Sequence, residues 1–238
     1  MNILVTNDDG IESEGILLLA RWARKLGTVT IAAPKFEQSG KSHAIELHKS
    51  FEVKHLPSRD GMEFYRIDST PADCIRYAFA SISSDYDLVL SGVNKGFNLG
   101  TDILYSGTVG AVFEAECFNT RALAVSTDSK SFEASWQWFD RILDFILKKD
   151  LFQFHGLYNI NIPVDPKDIL ITRQGGPYYK DRFINKGDDM YLADGFSVYQ
   201  GTSNLEDDLD AVMNGYISVS PLTTNRTNED AFRKLTQK

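Results

Sequence analysis

The sequence predicts an α/β protein with a doubly wound, mainly parallel sheet, followed by a C-terminal hairpin arm and a terminal helix. Three observations carry that expectation. Short β-branched apolar runs of strand length (NILVT, TVTIAAP, DLVLSG, RALAVS) recur through the chain, with the continuity of strands buried on both faces. Stretches with apolar residues at helical spacing lie between them. From Gly175 to Leu205 the pattern gives way to mixed Gly, Asp, Tyr and Asn, as in a hairpin that leaves the core.

Each element follows from local signals. Residues 2–6 (NILVT) read as a buried strand, and the spacing from Ser13 to Leu26, with Glu14 near its start and Gly27 as its stop, predicts a helix. TVTIAAP, closed by Pro34, completes a parallel crossover unit. Between 44 and 68, AIEL, FEVKHL and EFYRI alternate as short strands. Thr70-Pro71-Ala72-Asp73 combines an N-cap, a first-turn proline and an acid, starting a helix that runs to about Ser83. DLVLSG (Asp87 to Gly92) and RALAVS are strands around a helix TVGAVFEAECF, and SWQWFDRILDFILKK is an amphipathic helix. YNINIP and DILITR follow as strands, then the arm, a helical piece near 207–214, the strand YISVSPL and a polar helix from about Asn228. No repeat or low-complexity linker divides the chain, so 1–238 reads as a single domain, a core over about 1–172 and an arm, strand and helix over about 173–238.

Composition excludes several functions. With 238 residues, 42% hydrophobic and 24% charged, the chain can bury a sizeable core. A net charge of −8 argues against binding a nucleic-acid polymer. Cys74 and Cys117 form no CxxC pair, which disfavours a disulfide framework or thiolate zinc site and fits a reducing cytoplasm. No apolar run approaches membrane-spanning length and no basic leader precedes the first strand, so neither insertion nor export is expected.

In an open parallel sheet, ligands bind beyond the carboxyl ends of the strands, and four such loops are chemically rich. VTNDDG sets Asp8 beside Asp9; adjacent carboxylates repel and lose hydration on burial, so they are fully wet or they hold a cation. EQSGKS (Glu37 to Ser42) and SGVNKGFNLGTD, with Asn94, Asn98 and Asp102, add hydroxyl and amide oxygens. Such a set suits a hard divalent ion, Mg²⁺ or Mn²⁺, where zinc would draw on His or Cys. Alone, DDG would serve as well as a capped strand-to-helix turn; three converging loops favour the metal. The fourth loop, YSGTVGA (Tyr105 to Ala111), puts small residues where a helix begins. Free amides and the helix dipole there attract an anion, Gly107 permits close approach, and Ser106 and Thr108 offer hydroxyls. A plain helix cap competes with that phosphate cradle, and proximity to the carboxylate loop decides between them.

Other chemistries fail on spacing. SGKS (Ser39 to Ser42) ends like a Walker A loop, but Lys35 stands where its first glycine belongs and HAIEL follows instead of a helix. NDDGIESEG is no dinucleotide GxGxxG. The four histidines show neither an i,i+4 pair nor HExxH, and GxSxG is absent. A covalent aspartyl-phosphate route through Asp8 expects DxD, whereas adjacent side chains point in different directions.

Several fragments together resemble the SurE survival-protein family of nucleotidases: NILVTNDDG, QSGKSHAI, STPADC, SGVNKGFNLGTDILYSGTVGA, NINIP and GYISVSPL, in order over most of the chain. The pairing of NDDG with SGxNxGxNLGxDxxYSGTVGA is highly specific, and the arm at 175–205 matches least. The resemblance implies a Rossmann-like core and a metal-dependent phosphatase acting on nucleoside 5′-monophosphates, with 3′-monophosphates and short polyphosphate as further substrates. It implies one divalent ion per subunit held by Asp8, Asp9, Ser39 and Asn94, phosphate contacts from Ser106, Gly107 and Thr108, to which Asn98 is added here, and homodimers or homotetramers built by exchanging C-terminal arms. Tyr178, Tyr179, Phe183, Tyr191, Phe196 and Tyr199 carry aromatic area that a partner subunit would cover.

The reading is hydrolysis of a phosphomonoester by a water that the cation activates, with Asp8 and Asp9 as the catalytic pair. Asp9 serves as ligand, as base, or as both. The rival is a non-catalytic sensor module that holds a nucleotide or phosphate through the same metal site.

Overall fold

Strands that are apolar on both sides need cover on both faces, and the chain supplies it by winding in two directions. In the computed structural model, which describes residues 1–236, β1 (Asn2–Thr6) leads through α1 (Glu14–Ala23) to β2 (Thr28–Pro34). β3 (Val53–Arg59) and β4 (Met62–Ile67) pair antiparallel at one edge, and α2 (Pro71–Tyr77) continues through a π turn (Ala78–Ile82) towards β5 (Leu88–Lys95). A 3₁₀ segment (Gly100–Tyr105) precedes α3 (Gly107–Cys117), β6 (Arg121–Thr127), α4 (Glu133–Lys148), α5 (Leu151–Phe154) and β7 (Leu157–Ile162). Beyond β8 (Ile169–Ile171) lie the arm strands β9 (Tyr179–Gly187) and β10 (Met190–Ser197), then α6 (Asp208–Met213), β11 (Ile217–Pro221) and α7 (Glu229–Thr236).

The main sheet has the order β3-β4-β2-β1-β5-β6-β7-β11-β8. β1 pairs in parallel with both β2 and β5, and β5-β6-β7 continue in parallel; β7 and β11 are antiparallel. Alternation along β1 sends Ile3 and Val5 into a cluster with α1 and α4, and Leu4 into one with α2 and α3. Each such fully buried side chain contributes about 1.5–3 kcal/mol. From β1 the chain turns one way through α1, and from β5 the other way through α3. The carboxyl ends of β1 and β5 therefore flank a switch point, where a doubly wound sheet opens a crevice.

Three local expectations need correction. AIEL is irregular, not a strand: the Glu46 amide donates to Asp73 Oδ2 at 2.8 Å, and the Glu46 carboxylate takes the amides of His48 and Lys49. Side chains thus satisfy groups a ladder would need. The helix that begins at Glu14 gives up its regular turn after Ala23, because the amides of Lys25 and Leu26 bond three residues back, to Trp22 and Ala23. In the arm, β9 and β10 pair only with each other, and every residue of the two strands except Asp194 is exposed. Tyr178 and Tyr199, however, pack at its root with Leu99, Leu209 and Val212, so their rings are covered by their own chain. Among the described residues no helix is long and apolar enough to cross a membrane.

Close packing at the switch point sets a test. A Cβ on Gly15 would lie 2.1 Å from the carbonyl oxygen of Val93, at the end of β5. Gly15→Ala is therefore expected to lower stability by about 1–3 kcal/mol, as overpacking does, instead of adding the roughly 1 kcal/mol that alanine gains at an open helical site. Urea unfolding of the two proteins measures it, and a stabilised variant contradicts the packing.

Candidate active site

The residues after β1 are folded inward by their own side chains. Asn7 Nδ2 donates to the carbonyl of Gly10 at 3.0 Å and to Ser13 Oγ at 2.7 Å, closing the turn that carries Asp8 and Asp9. Gly10 sits at φ +98°, a conformation that admits few other residues. The turn is then tied to the loop after β2: the Gln38 amide donates to the Asp8 carbonyl at 2.7 Å, which brings Ser39 alongside. On the other side, Asp9 lies against the backbone amide of Lys95, next to Asn94 at the end of β5. Three of the four polar loops thus meet at the switch point.

Asp8 is only 5% exposed. Its carboxylate occupies the N-terminus of α3, where Thr108 Oγ1 donates to Oδ1 at 2.5 Å and the Thr108 amide donates to Oδ2 at 3.1 Å. Burial pushes its pKa above the ordinary value, against the lowering pull of those bonds. Asp9 is pushed up to about 6, first by burial, then by the charge of Asp8. The Thr108 bonds, and the amide and charge of Lys95 beside Asp9, offset burial and mutual repulsion only in part. That is the arrangement a divalent cation would relieve.

The remaining donors fit such an ion. Asn94 spends its Nδ2 on the carbonyl of Gly96 at 2.7 Å, which leaves its amide oxygen uncommitted among the described residues. Ser39 Oγ donates to Glu37 at 2.6 Å and keeps its lone pairs. Among the described residues no three His, Cys, Asp or Glu side chains gather into a metal cluster. Two carboxylates completed by amide and hydroxyl oxygens make a hard donor set, suited to Mg²⁺ or Mn²⁺.

The Thr108 hydroxyl and amide both donate to Asp8 in this structure. Gly107 is also crowded by that carboxylate: a Cβ there would come within 2.9 Å of the Asp8 Cβ and 3.0 Å of Oδ2. Ser106 caps α3, its Oγ accepting from the Val109 amide at 3.1 Å, and its own proton stays available to donate. Asn98 is committed to other partners: its Nδ2 donates to Ser126 Oγ, its amide to Asn161, and its carbonyl accepts from Asn159 and Asn161. Asp102 is tied to the arm root, its Oδ2 accepting from the Tyr179 amide at 2.9 Å. Sequence reasoning passed over Asn159 and Asn161. Their signal was present, two amides at i and i+2 on one face of a strand buried throughout.

A doubly wound sheet with an acidic pair at its switch point, one carboxylate locked onto the helix that follows the neighbouring strand, defines a Rossmann-like α/β protein with an oxygen-donor site. The comparisons agree. The family model described as Survival protein SurE matches residues 3–181. The 5'-nucleotidase SurE of Thermosipho africanus is 36% identical, over 100% of this chain and 97% of its own. That of Clostridium beijerinckii is 36% identical over 93% of this chain and 92% of its own. The crystal structure of the SurE protein from Aquifex aeolicus superposes with a TM-score of 0.80 at 30% identity, covering 99% of this chain and 98% of that one. The chain belongs to the SurE family.

The strain in the acidic pair is measurable in metal-free protein. Because folding raises the Asp9 pKa from 3.8 to about 6, the fold binds more protons than the unfolded chain across that window, and stability falls as pH rises through it. A rise of that size corresponds to about 3 kcal/mol, which solvent screening of this partly buried group cuts to about 1. Asp9→Asn in chelator is thus expected to be more stable than wild type by about 1 kcal/mol at pH 7.5, with the gap closing towards pH 4 in denaturant titrations. An equal gap at both pH values contradicts it.

Proposed function

We propose that this protein is a metal-dependent 5′-nucleotidase that hydrolyses nucleoside 5′-monophosphates to nucleoside and phosphate. The observation that supports it most is the only partly compensated pair Asp8 and Asp9 at the switch point, with Asn94 and Ser39 beside it. These four side chains would hold one divalent ion per subunit, Mg²⁺ or Mn²⁺. When bound, that ion supplies Lewis acidity, lowering the pKa of a water and offsetting the charge of the phosphate. Everything else falls to the chain. Thr108 fixes the orientation of the Asp8 carboxylate, and Asp9, the more exposed of the two, orients the attacking water and takes its proton on a carboxylate oxygen. Ser106 donates its hydroxyl proton to a phosphate oxygen. In this reading Asp8 is a ligand and not a nucleophile, its carboxylate held by Thr108 in one orientation. Because the recognised group is the phosphate, 3′-monophosphates and short polyphosphate fall within the same chemistry. The setting is the cytoplasm, in keeping with two free cysteines.

Phosphate release from a nucleoside 5′-monophosphate, with Mg²⁺ or Mn²⁺ and with chelator, tests this directly. Release is expected only with metal and is expected to vanish in Asp8→Asn. Metal-dependent nucleotide binding without any release would leave a sensor and overturn the enzyme.

Two variants separate the roles at α3. Thr108→Val loses a bond to a charged carboxylate, worth about 1.5–3 kcal/mol, and is expected to lower kcat some 10- to 100-fold with KM little changed. Ser106→Ala is expected to raise KM and the inhibition constant of inorganic phosphate. The reverse pattern in steady-state kinetics contradicts the assignment.

For assembly, we propose a homodimer or homotetramer in which the arm packs on a neighbouring chain, with 1–172 as the core and the rest as assembly elements. An isolated two-stranded hairpin is marginal in water, and here Phe183 is 71% and Tyr191 59% exposed. Replacing 180–196 by a short glycine linker, which spares the root at Tyr178 and Tyr199, is expected to reduce the light-scattering mass of the particle. An unchanged mass would show that the arm does not assemble the particle.

A further inference from the structure

The loop between β5 and α3 carries Asn94 at one end and Ser106 at the other, so its path sets how far apart those two groups stand. Neither end dictates that path. Two buried clamps do, and both come from the second half of the chain. The first is built on the NxN of β7: Asn161 Oδ1 accepts from the Asn98 amide at 2.8 Å, while Asn159 Nδ2 and Asn161 Nδ2 donate to the Asn98 carbonyl at 2.8 and 2.9 Å. Ser126 Oγ takes the Asn98 side chain at 2.8 Å. The second is Asp208 at the start of α6, 1% exposed. Its Oδ2 accepts from the Gly100 amide at 2.9 Å; its Oδ1 accepts from Gly175 at 2.9 Å and from Leu209 at 2.8 Å.

Around this second clamp the loop is pressed against the root of the arm. The Thr101 amide donates to the Gly176 carbonyl at 3.2 Å, and Asp102 Oδ2 accepts from the Tyr179 amide at 2.9 Å. A Cβ on Gly100 would fall 1.9 Å from the Gly176 oxygen. One buried carboxylate thus holds three backbone segments together: the loop, the arm root and α6.

We infer that Asp208, with Asn159 and Asn161, is a positioning residue for the reaction: it fixes the loop that spaces Asn94 from Ser106, and through Gly175 it makes that spacing depend on the seating of the arm root. The inference rests on the site proposed above. A buried carboxylate is costly unless every lone pair is used, and leucine or alanine would fill the space without it. What the carboxylate provides that an apolar side chain cannot is a pair of acceptors that bind loop and arm root at once. The arm is then connected mechanically to the site, and an arm packed on a neighbour would bear on the spacing of Asn94 and Ser106.

Asp208→Asn isolates the connection. The amide oxygen can stay with Gly175 and Leu209, which puts the NH₂ group opposite the Gly100 N–H, donor against donor. Asp210→Asn is the control: on the same helix, Asp210 accepts from Tyr199, Thr202 and Asn204 at the arm root but has no bond to the loop. In full-length protein, Asp208→Asn is expected to lower kcat/KM at least tenfold, raise the half-saturating Mn²⁺ concentration at least threefold, and at least halve the rise in melting temperature that Mn²⁺ gives. Asp210→Asn, which loosens the arm root but leaves the Gly100 bond to Asp208 in place, is expected to shift each in the same direction by less than half the factor seen in Asp208→Asn. Wild-type values for Asp208→Asn, or equal losses in Asp210→Asn, overturn the inference. Asn94→Ala, measured alongside, separates the two readings: if it keeps full activity, the site itself is wrong and the inference falls with it. If it is inactive while Asp208→Asn is normal, only the positioning role fails. Should Asp208→Asn not fold, the half-exposed Asp102 carries the test, with at least a threefold loss expected for Asp102→Ala and unchanged values overturning the coupling.

Discussion

The contact between Asp8 and Thr108 joins the two halves of the winding. Asp8 lies in the turn after β1, from which the chain turns one way; Thr108 lies in the first turn of α3, which follows β5 and turns the other. Burying an unpaired carboxylate costs several kcal/mol, and here a hydroxyl, an amide and the positive end of a helix dipole offset part of that cost. Because α3 accepts the carboxylate at its N-terminus, its first-turn amides are satisfied from within: Thr108 on Asp8, Val109 and Gly110 on Ser106. The helix end thus holds the Asp8 carboxylate at the crevice in a single orientation.

That constraint propagates to Asp9. Asp9 lies beside Asp8 and against the Lys95 amide, with the loop after β2 tied to the Asp8 carbonyl through Gln38. The amide and charge of Lys95 offset its burial and repulsion only in part, and its pKa stays raised. In the function proposed above, a divalent ion would supply the rest of the balancing charge, and the ordered acceptors would be in place for it.

Much of this was legible in the sequence, and the reasons for success and failure are physical. The strands of the parallel core announced themselves because burial on both faces makes them apolar throughout, and the NDDG turn because charge at a strand end has few structural uses. The AIEL segment misled because alternation says nothing about side chains such as Asp73 that capture backbone amides from a distance. Thr108 and Gly107 pointed to an anion at α3, but a sequence shows donors and cannot show that the Asp8 carboxylate lies against them. Asn98 looked like a ligand because oxygen-rich loops look alike until their partners are known.

The division of labour along the chain explains that last difficulty. The side chains that would touch ion and phosphate all lie before residue 110, in short loops that follow β1, β2 and β5, strands adjacent in the order β2-β1-β5. The groups that shape those loops lie far away: Ser126, Asn159 and Asn161 at the ends of neighbouring strands, Asp208 on a helix beyond the arm. Local motifs reveal the first kind, because chemistry demands particular residues close together. The second kind is revealed only by topology, since any buried acceptor at the right place in the sheet would serve. In a parallel sheet the strand ends are neighbours in space whatever their separation in sequence, so β7 and α6 can brace a loop that leaves β5. The arm root is built into that brace, so whatever seats the arm also bears on the loop between Asn94 and Ser106.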